Sequence, residues 1–173
     1  MSHIEIKLAR PRVDEVFARY KHLIGKDFPG YRNYVYRTIT YAMHFLDNEP
    51  EYEALIETIC AYFAYHDIGL WTDHTLAYLE PSEAVALADN EKYDWGFDPQ
   101  LFRNAIHWHQ KITPYSGKSK EVIEACQKAD WVDISKDHIR KGMSKAVIRK
   151  VEAAFSNLGF QNTLLRLTKD YEG

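Results

Sequence analysis

The apolar helical run from Leu55 to Phe63 closes on Ala64-Tyr65-His66-Asp67-Ile68-Gly69. An apolar helix that delivers an imidazole and a carboxylate side by side at its end makes a metal site the first hypothesis. Neutral imidazole and carboxylate both suit a Zn, Mn or Fe ion. A carboxylate near a helix C-terminus is also electrostatically unfavourable, so Asp67 needs a compensating partner, and a cation would serve. The alternative is that Asp67 caps a neighbouring segment and His66 is a hydrogen-bonded core residue.

Length and composition narrow the setting. A chain of 173 residues with formal net charge −3 is expected to form a single domain over 1–173, without the signature of a polyanion binder. Its two cysteines, Cys60 and Cys126, have apolar neighbours in helical patterns and read as reduced core residues. No signal peptide and no membrane span is evident, so the expected location is cytoplasmic, with no membrane partner. Twelve tyrosines and four tryptophans are expected mostly in the core and in pocket walls. This aromatic surplus is compatible with a homodimer interface but does not require one.

Helical spacing recurs along the chain. Pro11 to Ile24 forms a first helix, with Pro11 at its first position. Lys26 to Gly30 reads as a connector and Tyr31 to Leu46 as the second helix. Asp47-Asn48-Glu49-Pro50 is a tight turn before a third helix from about Glu51 to Tyr65. Leu70 to Glu80 is less regular. A fourth helix starts near Pro81, and a fifth runs from Pro99 to about Lys111 behind an Asp98 cap. Lys120 to Ile134, Lys145 to Leu158 behind Ser144, and Gln161 to Tyr171 complete the set, with Gly159 ending the second of these. No alternating segment competes, so the expected fold is all-α, a globular bundle of six to eight helices.

Further chemistry sits on the later helices. Asp130 lies among Ile123, Cys126, Ala129 and Val132, where a carboxylate is costly unless it binds a metal or an ion-pair partner such as a buried arginine. Asp133 lies one turn on. His107 and His109 are about 200° apart on a helix, so they cannot both face one site. Arg32, Arg37 and Lys111 are anion-binding candidates, since guanidinium suits phosphate bidentately. The basic stretch Lys136, Arg140, Lys141, Lys145, Arg149 and Lys150 reads as a solvated face, and nucleic acid is not an expected partner.

These elements together resemble the HD superfamily of metal-dependent phosphohydrolases. His66-Asp67-Ile68-Gly69 is similar to its signature dipeptide, and Ala129-Asp130 to its closing motif. Ile106-His107-Trp108-His109-Gln110-Lys111 is similar to its I-x-x-H-H-K segment, aligning His109 with the first of that pair. The resemblance covers about Tyr31 to Asp133. It implies an HD-like fold and a divalent metal ion (Mn, Zn, Fe or Mg) on His66, Asp67 and Asp130. It further implies a small phosphorylated substrate, such as a nucleotide, hydrolysed by metal-activated water. Arg37, Lys111 and Asn33 would bind the phosphate. His109 would transfer a proton or hold a second metal. Many members place a Lys or an acidic residue shortly after the dipeptide, where this chain has Leu70 and Trp71; Asp73 or Glu80 would supply the carboxylate instead, or else cap Thr75 and the fourth helix.

The chain departs from the family on the second helix, where the first metal-binding histidine belongs. His44 is the only histidine there. A short turn makes the second and third helices antiparallel neighbours, which sets His44 roughly 20 Å from His66 along the axis. The level of His66 is instead that of Asn33, Tyr34 and Arg37. Tyr31 to Arg37 resembles a family segment whose histidine would stand at Tyr34, and His22 is a substitute at the same level. Two further readings therefore stand beside hydrolysis. One is an HD-like protein with an incomplete metal site that binds a ligand without turnover. The other is a di-iron HD-type oxygenase drawing on His74, His107 and His109.

Overall fold

The computed structural model describes residues 4–46, 53–108 and 120–172, the stretch 53–57 as backbone only. Among these residues stand eight helices of ten residues or more. They are α1 (Pro11–Ile24), α2 (Phe28–Phe45), α3 (Glu53–Tyr65), α5 (Leu79–Tyr93), α6 (Pro99–Trp108), α7 (Lys120–Ile134), α8 (Lys145–Ala154) and α9 (Phe160–Glu172), with the four-residue α4 (Gly69–Thr72) between α3 and α5. The described residues contain no strand, and no helix among them is long and apolar enough to cross a membrane. The fold is an all-α globular bundle.

Local chemistry explains the boundaries. The Ser144 hydroxyl accepts the backbone N–H of Val147 at the start of α8. Asp98 Oδ1 accepts those of Gln100 and Leu101 at 2.9 and 3.3 Å to open α6. Two helices start earlier than the sequence suggests. The segment read as a connector is a 3-10 turn, Gly25–Asp27, running into α2, whose first turn takes in Pro29. A first-turn proline gives up only an N–H that no helical bond uses, and the same holds for Pro81 in α5. The expected end of α8 at Leu158 is corrected to Ala154. There the freed carbonyls of Phe155 and Ser156 find side-chain donors on α2, so the helix need not continue to satisfy them.

One contiguous apolar cluster joins the long helices, and several tyrosines are fully inside it. Their hydroxyls are used as ties. Tyr31 donates to the Ala64 carbonyl at 2.9 Å. Tyr20 of α1 and Tyr65 of α3 both donate to Asp89 of α5, at 2.5 and 2.7 Å. Gly69 is required by close approach: a Cβ there would stand 2.6 Å from the Tyr78 carbonyl oxygen. The His66-Asp67 dipeptide is thereby held directly against the start of α5. At the other end of the chain, Arg166 and Tyr171 anchor α9 to Asp27 and to the Leu70 carbonyl.

The strongest tie joins α2 to α7. Arg37, buried at 1 % exposure, meets Asp133 through Nε at 2.6 Å and Nη2 at 3.1 Å. Its Nη1 donates to the Phe155 and Ser156 carbonyls, each at 3.2 Å. Burial works against the guanidinium's charge, but Asp133 more than compensates and raises its pKa. Arg37→Met strands Asp133 without a counter-ion, and a loss of about 3–5 kcal/mol is expected in urea unfolding. Arg37→Met with Asp133→Leu should recover much of that loss. A double variant no more stable than the single one would show that the pair is not what makes Arg37 costly to remove.

Candidate functional site

The end of α3 and the middle of α2 and α7 meet at one buried constellation. Tyr62 and His66 sit one turn apart on the same face of α3, and the chain then turns tightly so that Asp67 stands beside His66. His66 has no exposure, and Asp67 and Asp130 have 6 % each. The His66 Nε2 lies 3.4 Å from Asp67 Oδ2 and 3.4 Å from Asp130 Oδ1. The sequence-derived trio is thus brought together.

Tyr34 completes it. Its Oη stands 2.9 Å from His66 Nε2 and donates to Asp130 Oδ1 at 3.1 Å. Tyr62 donates to Asp130 Oδ2 at 3.2 Å. The ring of Tyr34 stacks on Phe160 at 4.6 Å, which holds the hydroxyl in place. This is the level at which the hairpin argument sets a partner for His66. His44 lies ten residues further along α2, roughly 15 Å away along the axis. His22 is exposed on α1 and takes no part.

Proton accounting determines what the constellation is. His66 Nδ1 faces the Phe63 carbonyl at 2.8 Å, and a carbonyl can only accept, so Nδ1 carries a proton. Burial and the neighbouring carboxylates hold the Tyr34 phenol far above its ordinary pKa, so it keeps its proton and donates to Asp130. Its oxygen is then free to accept from a second proton on Nε2. Burial alone would lower the imidazole pKa, but Asp67 and Asp130 together push it up to about 9. His66 is therefore an imidazolium at neutral pH, bonded through both nitrogens. A metal ion at this point would have to displace the Nε2 proton. Among the described residues no group of three or more His, Cys, Asp or Glu side chains is arranged to hold a metal. As the side chains stand, hydrogen bonds from Tyr34 and Tyr62 join the carboxylate and imidazole that the family resemblance assigns to a divalent ion.

A cavity of about 390 Å³ opens on this constellation. Tyr34, Asp67 and Asp130 form its floor; Tyr78 and Trp131 are aromatic wall. Leu70, Leu164 and Thr168 also line it, as do the exposed Leu76 and Ile134. No Lys, Arg or His is among its described lining residues. Asp67 Oδ1 is buried without a hydrogen-bond partner.

Several expected roles need correction. Arg37 is not a phosphate ligand, because the buried pair with Asp133 uses its guanidinium. Asn33 is turned away from the cavity and donates its amide to the Ser156 carbonyl at 2.9 Å. Arg32 lies over the Tyr36 ring, 4.3 Å from its centroid. Asp73 is exposed after α4 and accepts from the Thr72 hydroxyl at 2.8 Å, outside the cavity lining. Glu80 is exposed in the first turn of α5, where a carboxylate favours the helix dipole. His74 is exposed, and the exposed His107 pairs with Glu83 at 3.4 Å. His109 and Lys111 lie outside the described residues. Sequence reasoning missed Tyr62, Tyr78, and Leu164 and Thr168 from α9. Only Tyr62 carried a usable signal, its position one turn before His66.

The bound proton has a measurable consequence. In chelator-treated protein, the native state holds a proton on His66 that the unfolded chain, with a pKa near 6.5, releases first. The stability this contributes is complete below pH 6.5 and is lost as pH rises through about 9. Urea midpoints should therefore fall from pH 6.5 to pH 9, and the fall should be blunted in His66→Gln. A midpoint that holds or rises over that range in the wild type, matching His66→Gln, would contradict the assignment.

No family model, curated protein or solved structure matches this chain.

Proposed function

We propose that the chain is a small-molecule-binding protein on an HD-like helical scaffold, in which hydrogen bonds replace the metal ion and phosphate-ester turnover is absent. One observation carries this reading: the Tyr34 hydroxyl lies within hydrogen-bond distance of both His66 Nε2 and Asp130 Oδ1, at the position where the family resemblance expects a metal-binding histidine. The cavity supports it as well. Its volume of about 390 Å³ suits a small ligand, and no lysine or arginine among its described lining residues offers a phosphate ester a partner.

A second reading, metal-dependent hydrolysis of a nucleotide or other phosphate ester, draws support from Asp67. Its buried Oδ1 lacks a partner, as an unused ligand atom would. The Nδ1–H of His66, held by a backbone carbonyl, is also the orientation that metal-bound histidines share. This reading requires Tyr34 to leave the site. It also requires a phosphate-binding cation from outside the described residues, where Lys111 lies. The di-iron reading has less support, since His74 and His107 are both exposed.

Metal analysis separates these readings. Wild-type protein purified without chelator and reconstituted with Mn, Zn or Fe should hold far less than one metal per chain and leave generic phosphate esters intact. Tyr34→His, which returns an imidazole to the site, should bind metal at least about tenfold more tightly, in a manner abolished by Asp130→Ala. Stoichiometric wild-type metal that is lost in His66→Ala, with ester hydrolysis lost in Asp67→Ala, would overturn the proposal.

A further inference from the structure

We infer that the cavity takes an uncharged, largely hydrocarbon ligand, whose apolar body rather than its head supplies the affinity. This deepens the binding reading above and rests on it. Four separate segments bring carbon to the same space. Leu70 comes from α4, Leu76 and Tyr78 from the link between α4 and α5, Trp131 and Ile134 from α7, and Leu164 from α9. The lining surface is predominantly apolar. A volume of about 390 Å³ holds a small molecule, whereas a protein partner would need a far broader apolar face.

The polar groups of the lining are already engaged within the protein. Asp130 Oδ1 accepts from Tyr34 and Oδ2 from Tyr62, and Asp67 Oδ2 stands against His66. The Thr168 hydroxyl donates to the Leu164 carbonyl at 2.8 Å, a bond within α9 itself. The unpartnered Asp67 Oδ1 and Trp131 Nε1 have almost no accessible surface, so they present nothing to an occupant. Among the described lining residues there is also no lysine or arginine to receive an anion. A ligand head that gives up its water here gains little in exchange, and for a full charge that loss is largest.

Carbon, by contrast, is left uncovered. Seven large apolar side chains stay exposed among the described residues, and two of them, Leu76 and Ile134, line this cavity from different segments. They keep 38 % and 42 % of their surface accessible to water. A hydrocarbon body seated against both removes that area, and its own, from water. Tyr78 and Trp131 add ring faces, which pack on aliphatic and aromatic bodies alike.

Straight-chain alcohols test the inference by calorimetry and thermal shift on the full chain: butanol, hexanol and octanol, with hexylamine, hexanoate and hexyl phosphate as charged counterparts. Affinity should rise roughly three- to fourfold for each added methylene. Hexanol should bind at least as tightly as any of the three charged probes. Leu164→Trp, which fills the cavity, should abolish octanol binding. Ile134→Ser, at an exposed position of the wall, should weaken octanol several-fold; it serves as the deciding variant if Leu164→Trp does not fold. Affinity that does not grow with chain length, or a charged probe bound about tenfold more tightly than hexanol, overturns the hydrocarbon assignment while leaving a binding site in place. Octanol binding unmoved by the variants puts the ligand outside this cavity and overturns the assignment as well. Failure of every probe at millimolar concentration overturns both the hydrocarbon assignment and the binding reading beneath it.

Discussion

Two carboxylates one turn apart on α7, Asp130 and Asp133, are buried against α2, and each must find a partner there. Their partners, Tyr34 and Arg37, are spaced by the same three residues, so the two bonds share one helical register. Sliding α2 by a single residue would lose both. The α2–α7 contact is also the most extensive helix pairing in the bundle. Burying an unpaired carboxylate costs several kcal/mol, on the order of the protein's whole stability margin. The polar pairs thus select the register within which the apolar cluster packs.

The two pairs are not equivalent. Asp133 receives a full cation in bidentate geometry and is electrically finished. Asp130 receives two phenol hydroxyls and a share of one imidazolium, which Asp67 also draws on. Of the two, Asp130 is the one without a cation of its own, and it lines the cavity. A histidine in place of Tyr34 would present a second lone pair to the same point. A phenol presents a proton instead, and the constellation closes on itself.

Much of this was legible in the chain because helices are regular. The apolar run ending at His66-Asp67, the Asp130 set among apolar residues, and a turn expected at Asp47 to Pro50, which lies outside the described residues, suffice to place Tyr34 opposite His66. The hidden part was register between helices distant in sequence. A carboxylate on α7 meeting a buried arginine was foreseeable, but Asp130 and Asp133 were equally eligible, and only packing decides that Arg37 takes Asp133. That outcome removes Arg37 from the anion-binding set. The early end of α8 has the same origin, since donors on α2 satisfy the carbonyls of Phe155 and Ser156. Amphipathic spacing in α9 identifies a buried face but not what it covers, so the cavity wall formed by Leu164 and Thr168 had no sequence signature.

The central claim, that a tyrosine hydroxyl rather than a metal closes the His66, Asp67 and Asp130 constellation, is open to direct observation. Crystals grown from wild-type protein in excess Mn(II) can be measured at a wavelength where manganese scatters anomalously. The account predicts Tyr34 Oη between His66 Nε2 and Asp130 Oδ1, and no anomalous peak within coordination distance of the three side chains. An anomalous peak bound by His66 Nε2, Asp67 and Asp130, with the Tyr34 ring turned aside, would contradict it.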